Sequence, residues 1–253
     1  MSSIILRTEK LCKTFSNGGL QQHVLKNMDI NIMQGDFTVI MGASGSGKST
    51  LLYALSGMDR PSLGKVYFGE EDISKYSNDQ LAKFRRGHCG FVFQNVYLLD
   101  NMSVLDNVLA SALLIQKNSK ELINEAKKLL TQVGIDEKMW NKFPNQLSGG
   151  ESQRVGIVRA VINSPQIVFA DEPTGPLNSA AGTDVLNVFS KINSEGQSIV
   201  MVTHDIKTAM RGNRIIYLKD GCISGDLKLE RYVETSINER REKIQEFLNE
   251  MGW

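Results

Sequence analysis

The run Gly42-Ala43-Ser44-Gly45-Ser46-Gly47-Lys48-Ser49 constrains this chain more than any other stretch. It fits GxxxxGK[ST] and lies between a short apolar strand, FTVIMG, and a helix-like STLLYALSGM. Glycines let the backbone curl until successive N–H groups point inward at a phosphate. A helix that starts at once adds its positive N-terminal end. Lys48 offers a point charge and Ser49 a hydroxyl, with Thr50 beside them at the helix start. A chance Gly/Ser loop would lack the strand before it and the helix after it. Strand, loop and helix together are the entry unit of an α/β fold.

The chain has 253 residues, enough for one large domain or for a core with a smaller lobe. Hydrophobic residues at 41% and charged residues at 23% exclude disordered and collagen-like classes. Lys plus Arg total 29 against 28 Asp plus Glu, a net charge of +1. That balance gives no general basic field, so nucleic acid is not expected as a partner, although it leaves room for a local basic patch. Cys12, Cys89 and Cys222 lie far apart with no CxxC, which argues against a disulfide framework or zinc site and fits a reducing compartment. No apolar run approaches the roughly 18 residues of a membrane span, and MSSIILRTEKLCK lacks a signal core, so a soluble chain is expected.

Residues 3–40 read as β-rich, with a turn at Ser16-Asn17-Gly18-Gly19 and strand alternation at Leu25, Met28, Ile30 and Ile32. Residues 79–87 are polar and basic, and CGFVFQN is a further short strand. From about 102 to 160 the pattern is helical. Leu122, Ile123, Ala126, Leu129, Leu130 and Val133 share one face, with Ser119 as the expected N-cap and Gly134 past the end. IVFAD (167–171) and SIVMVTHD (198–205) are continuous apolar runs of the kind that buried parallel strands show. RIIYLKDGCI reads as a terminal strand and turn, and Val233, Ile237, Ile244, Leu248 and Met251 form a helical stripe in the tail. The spacing predicts a domain over 1–229, a helical subdomain inserted at about 96–160, and an amphipathic C-terminal helix over 230–253.

Two further motifs carry chemistry. Ile167-Val168-Phe169-Ala170 delivers Asp171 and Glu172 to a strand's carboxyl end, where Asp171 can hold Mg²⁺ through water and Glu172 can polarise an attacking water. Alone, the pair also reads as a solvated acidic turn; the phosphate loop upstream is what turns it into a site. Leu147-Ser148-Gly149-Gly150-Glu151, before SQRVGIVRAV, reads as a helix start with exposed donors and a hydroxyl, a second anion site. In isolation, SGGE is equally a plain helix cap.

The order phosphate loop, LSGGE, IVFADE and His204 closely resembles the ATP-binding subunits of ABC transporters, over about residues 4–225. The resemblance implies a P-loop NTPase core with an antiparallel β subdomain and an inserted α-helical subdomain. It implies two ATP molecules sandwiched between two copies, with Ser148, Gly149, Gly150 and Glu151 of one completing the nucleotide site of the other. By position, Phe15 matches the aromatic that stacks on adenine, Gln94 the glutamine that senses the γ-phosphate, and His204 the switch histidine. Glu172, His204 and Gln94 are then the catalytic set, and Ser49, Gln94 and Asp171 the candidates to hold Mg²⁺. Taken singly, Phe15 also reads as core, Gln94 as a strand-end polar group and His204 as a satisfied loop residue.

ADEPTG, the stretch FRRGHCGFVFQNVYLLDNMSVLDNV and the short tail are similar to a branch that serves macrolide export, lipoprotein release and antimicrobial-peptide resistance or sensing. A homodimer on the cytoplasmic face of the membrane, bound to an integral-membrane permease, is the implied setting. One departure stands out: Pro176-Leu177-Asn178 replaces the usual small residue, Leu, Asp, and Asn lacks the carboxylate charge. The other classes weighed are a soluble ABC ATPase of DNA repair or translation and a P-loop kinase or GTPase. Repair types need a very long coiled-coil insert that the span from Lys48 to Asp171 cannot hold, translation types carry two cassettes, and LSGGE has no role in a kinase. Gln94 with Val96-Tyr97-Leu98-Leu99 is the expected coupling surface for the permease, with Tyr97 and Leu98 as anchors; the same stretch also reads as one that only ties the helical lobe to the core.

Overall fold

The computed structural model describes residues 3–115 and 119–253. The first elements are β1 (Ile4–Asn17), β2 (Leu20–Met28), β3 (Asn31–Met33), β4 (Phe37–Gly42), α1 (Lys48–Leu55), β5 (Leu63–Phe68), β6 (Glu71–Asp72), α2 (Asn78–His88) and β7 (Cys89–Phe93). Helices α3 (Val104–Ala112), α4 (Ser119–Gln132), α5 (Glu137–Trp140) and α6 (Gly149–Val161) follow. The chain ends with β8 (Ile167–Asp171), α7 (Ser179–Ser194), β9 (Ser198–Val202), α8 (Ile206–Ala209), β10 (Arg214–Lys219), β11 (Cys222–Lys228) and α9 (Ile237–Glu250). The side chain of Ser119, and with it the expected cap of α4, lies outside the described residues. Two compact units result: residues 1–85 with 193–253, and residues 86–192.

In the first unit, β2, β1, β5 and β6 form an antiparallel sheet, with β3 also paired to β1. Gly18 and Gly19, at φ 55° and 86°, make the tight β1–β2 turn whose twist suits a hairpin. A second set of strands is parallel: β4 pairs with β9 on one side and β10 on the other, and β11 returns antiparallel along β10. Every residue of β4 and β9 is buried, because a parallel strand has both faces covered. The register sets Ile40 opposite Val202, and Thr203 N–H donates to the Ile40 carbonyl at 3.2 Å. The turns that leave β4 and β9 therefore emerge level with one another.

Helix α9 belongs to this unit. Ile244 and Leu248 are buried as the stripe predicts, and Phe247 and Met251 fill the space over Gly225, where a Cβ would lie 2.7 Å from both. Trp253 meets Tyr217 edge-on at 6.0 Å. Val233 departs from the expectation: it precedes the helix and is exposed, and the stripe instead buries Arg240. A charged residue at that position breaks the apolar period, so pattern alone assigns it to solvent.

In the second unit, β7 and β8 are parallel, with Phe93 opposite Asp171, and Phe91 stacks on Phe169 at 5.8 Å. Val104, Val108, Leu122, Ala126, Leu130, Val155 and Val158 bring α3, α4 and α6 onto one apolar cluster. Leu98 packs on that cluster as well, so it is not a free anchor; Tyr97 and Leu99 stay exposed. Buried Asn107 donates to the carbonyls of Leu99, Met102 and Ser103 at 3.0–3.1 Å and accepts from Leu99 N–H at 2.7 Å, which fastens the loop into α3. Residues 79–87, expected only to be polar and basic, lie within α2, whose Leu81 and Phe84 are buried.

Candidate functional site

The loop after β4 turns on Gly42. At φ 153°, a Cβ there would stand 2.3 Å from the Leu218 carbonyl oxygen and 2.6 Å from Ser46 Oγ, so no side chain fits. Gly47, at φ 100°, is the left-handed residue before α1. Ala43, Ser44 and Gly45 are exposed, whereas Ser46 and Gly47 are buried. Lys48 Nζ folds back over the loop and donates to the Gly42 and Ala43 carbonyls, both at 2.9 Å. Ser49 and Thr50 lie in the first turn of α1, half-buried. Ser46 Oγ is buried with no hydrogen-bond partner, a polar atom inside a curl of backbone that suits an anion's oxygens.

Two other candidates share this unit. Phe15 stands on β1, 45% exposed, with the Lys13 ammonium 5.0 Å from its ring centre. Lys13 is itself held by Asp59 at 2.6 Å and the Arg60 carbonyl at 2.8 Å. Phe15 is therefore not core: its ring is exposed, and the Lys13 ammonium lies over it. His204 follows β9 between Thr203 and Asp205, exposed and level with the end of β4.

The second unit holds Gln94, Asp171, Glu172 and residues 148–151. Asp171 closes β8, 9% exposed, and Glu172 follows at φ 46°, a left-handed conformation that costs a non-glycine residue free energy. Because Phe93 pairs with Asp171, Gln94 emerges beside Glu172; its amide nitrogen would lie 3.0 Å from a Cβ on Gly175, in the turn closed by Gly175 N–H on the Glu172 carbonyl. Arg159, on α6, donates to the carbonyls of Val96 and Tyr97, and Tyr97 is a second left-handed residue at φ 51°. Sequence reading passed over Arg159 and Asn107, since nothing in a polar residue's identity announces that loop carbonyls will meet it.

Ser148 is the N-cap of α6. Its hydroxyl accepts from Glu151 N–H at 3.3 Å, and the Glu151 carboxylate accepts from Ser148 N–H at 2.7 Å. The plain-cap reading of SGGE is thus realised; Ser148 and Gly149 are exposed in it, while Gly150 is buried, with a Cβ there only 2.9 Å from that of Ala181. Ala181 belongs to α7, whose start is capped by Asn178: Oδ1 accepts from Ala181 N–H at 2.9 Å. Asn at this position keeps the cap that Asp would provide, without the charge. Arg154 reaches Asp184 of α7 at 4.0 Å.

A glycine loop of the phosphate-binding pattern, a helix that starts on its lysine and an acidic strand end are the marks of a nucleotide-binding α/β protein of the P-loop class. A family model described as ABC transporter matches residues 25–175. The chain belongs to the ABC transporter family. The lipoprotein-releasing system ATP-binding protein LolD of Idiomarina loihiensis is 39% identical over 224 residues, which cover 88% of this chain and 98% of that one. The macrolide export ATP-binding/permease protein MacB of Shewanella sp. is 38% identical over 97% of this chain, and that of Campylobacter jejuni is 42% identical over 90% of it. This chain spans only 38% and 35% of those two proteins. Among solved structures, the dimeric ATP-binding cassette MJ0796 bound to ADP and Pi in a post-hydrolysis state has 38% identity and a TM-score of 0.82, covering 90% of this chain and 100% of that one. Another dimeric structure of MJ0796 gives 39% and 0.83.

Bonds from the Ser148 N–H and hydroxyl hold the Glu151 carboxyl below the usual carboxylate range. A carboxylate depressed on folding adds stability above its unfolded value, about 4.3, and loses it as pH falls through the folded one. At neutral pH the natural chain should therefore resist urea better than Glu151→Gln, and the gap should close in acid. Urea midpoints measured across pH 3–7 check this; a gap of constant size would contradict it.

Proposed function

We propose that this chain is the ATP-binding and hydrolysing subunit that powers a membrane transporter, one that exports or extracts a macrolide, an antimicrobial peptide or a lipoprotein. The observation that carries the reading is the presence, in one chain, of a closed phosphate loop after β4 and a capped α6 start with Ser148 and Gly149 exposed. The loop serves one nucleotide, and the α6 start offers donors to another copy's nucleotide. The near-complete match to LolD and the dimeric MJ0796 cassettes support the same arrangement.

In this reading, Phe15 stacks on the adenine, with the Lys13 ammonium over its ring. Gly42, Ala43, Ser44, Gly45, Ser46 and Gly47 supply N–H groups to the phosphates, and Lys48 swings from the loop carbonyls to the β/γ-phosphate charge. Ser49, Gln94 and Asp171 offer hydroxyl, amide and carboxylate oxygens, a hard donor set that suits Mg²⁺. When bound, Mg²⁺ neutralises charge on the phosphates. Glu172 orients and deprotonates water, Gln94 holds the turn beside it, and His204 contacts the γ-phosphate. Among the described residues no helix is long and apolar enough to cross a membrane. We place the chain as a peripheral subunit at the cytoplasmic face, paired with a second copy and an integral-membrane permease. The DNA-repair alternative would need a long coiled coil between Lys48 and Asp171, whereas the longest helix described there, α4, has 14 residues.

Glu172→Gln should retain ATP binding, slow hydrolysis by roughly two to four decades, and accumulate an ATP-bound dimer. Scattering and single-turnover rates check it; a monomeric variant with natural turnover would remove Glu172 from the role. Tyr97 and Leu99 are exposed beside Gln94 and are the refined candidates for the permease contact. Tyr97→Ala with Leu99→Ser should keep soluble ATPase activity and thermal stability yet fail in permease pull-down. Retained pull-down would locate the contact elsewhere.

A further inference from the structure

Arg240 is 4% exposed, and its guanidinium is met by main-chain carbonyls from other parts of the chain. Nε donates to Met210 O at 2.8 Å, Nη1 to Glu230 O at 2.6 Å, and Nη2 to Gly212 O. Met210 is the C-cap of α8, and Gly212 follows it by two residues. The last carbonyls of a helix have no intrahelical donors, and a cation there also opposes the helix dipole. The Tyr232 ring lies 4.4 Å from the Arg211 guanidinium and 5.8 Å from that of Arg240, closing the same spot. Beneath it, a Cβ on Gly212 would stand 2.6 Å from Val39 of β4, so this segment has little room to shift.

The other end of α8 is fastened as firmly. Asp205 accepts from Lys207 N–H at 3.3 Å, Thr208 N–H at 2.9 Å and the Thr208 hydroxyl at 2.8 Å. Its own N–H donates to Thr203 Oγ1 at 3.0 Å, and Thr203 N–H reaches β4. His204 is the residue between these two. A helix of four residues is far too short to hold itself in water, so its shape depends on the groups at its ends. Burying a guanidinium is costly, and an apolar side chain of similar length would serve packing alone at least as well.

We infer that Arg240 is a positioning residue for His204. The C-terminal helix α9 grips the finish of α8 through the guanidinium, and Asp205 grips its start. The tail thereby fixes where the turn carrying His204 sits after β9. This rests on the reading of His204 as the γ-phosphate contact, and it gives the tail a part in turnover rather than in stability alone.

The test uses the full chain with His204→Ala, Arg240→Met, Arg240→Lys, Leu248→Ala, and Arg240→Met combined with His204→Ala. For each, kcat and KM for ATP are measured beside the thermal midpoint. Leu248 is buried on the same helix, about 12 Å further along it, and serves as the control for plain loss of tail packing. Arg240→Met should lower kcat about tenfold with KM little changed, and Arg240→Lys should restore part of the rate. Leu248→Ala should lower the midpoint and leave kcat near natural. In the His204→Ala background, Arg240→Met should cost nothing further, because the two act as one unit. Independent, multiplying losses in the double variant would overturn the inference, as would an equal kcat loss in Leu248→Ala. Natural kcat in Arg240→Met beside a slow His204→Ala would overturn this inference alone. Natural kcat in His204→Ala would overturn the reading of His204 and the inference together.

Discussion

The structure of the site depends on the missing side chain of Gly42. The chain leaves a strand buried on both faces and must turn at once, with the Leu218 carbonyl 2.3 Å and Ser46 Oγ 2.6 Å from where a Cβ would be. Only a bare α-carbon lets β4 run so close to the end of β10 and still curl into α1. The rest follows from that turn. Ser46 N–H closes the loop on the Ala43 carbonyl at 3.2 Å, α1 starts on Lys48 with its positive end at the curl, and the lysine ammonium lies across the loop. The parallel register then brings His204 out of β9 at the same level, as ligands of open α/β sheets require at the carboxyl ends of strands.

Around this frame, short polar side chains hold the turns that carry chemistry. Ser148 with Glu151 caps α6, Asn178 caps α7, and Asp205 caps α8, each satisfying N–H groups that a helix start leaves over. Asn107 and Arg159 do the same for carbonyls in the segment 96–103. Glu172 and Tyr97 are held left-handed, at φ 46° and 51°. Strain of that kind persists where surroundings over-determine it, here beside the acidic strand end and next to the exposed apolar residues of the same unit.

Much of this was legible because the informative residues are local. Gly42 to Ser49, IVFAD and SIVMV announce themselves by glycine spacing and by unbroken apolar runs of strand length. The alternation of Leu25, Met28, Ile30 and Ile32 marks positions that are all buried. What escaped reading depends on contacts distant in sequence. Arg240 looks like one charge among many in ERREK, yet it is buried by carbonyls 10 to 30 residues away. Leu98 and Tyr97 are equally apolar on paper, and only the packing of α3, α4 and α6 decides that one is covered and the other exposed. Val233 failed as part of the tail stripe because the helix begins after it, at Ile237. The Asn at 178 was legible as a departure, but its cap on Ala181 was not.

In the proposed dimer, the start of α6 completes the nucleotide site of a second copy. Mixing two defective chains tests it most directly: Lys48→Ala, which damages the phosphate loop, and Ser148→Arg, which blocks the α6 start. Each alone should be nearly inactive. In a mixture, half the dimers would pair one of each, and each such pair holds one site with both parts intact. Turnover should recover to roughly a quarter of the natural rate in an equimolar mixture. A mixture no more active than its parts, or a Ser148→Arg chain that hydrolyses ATP normally by itself, would contradict it.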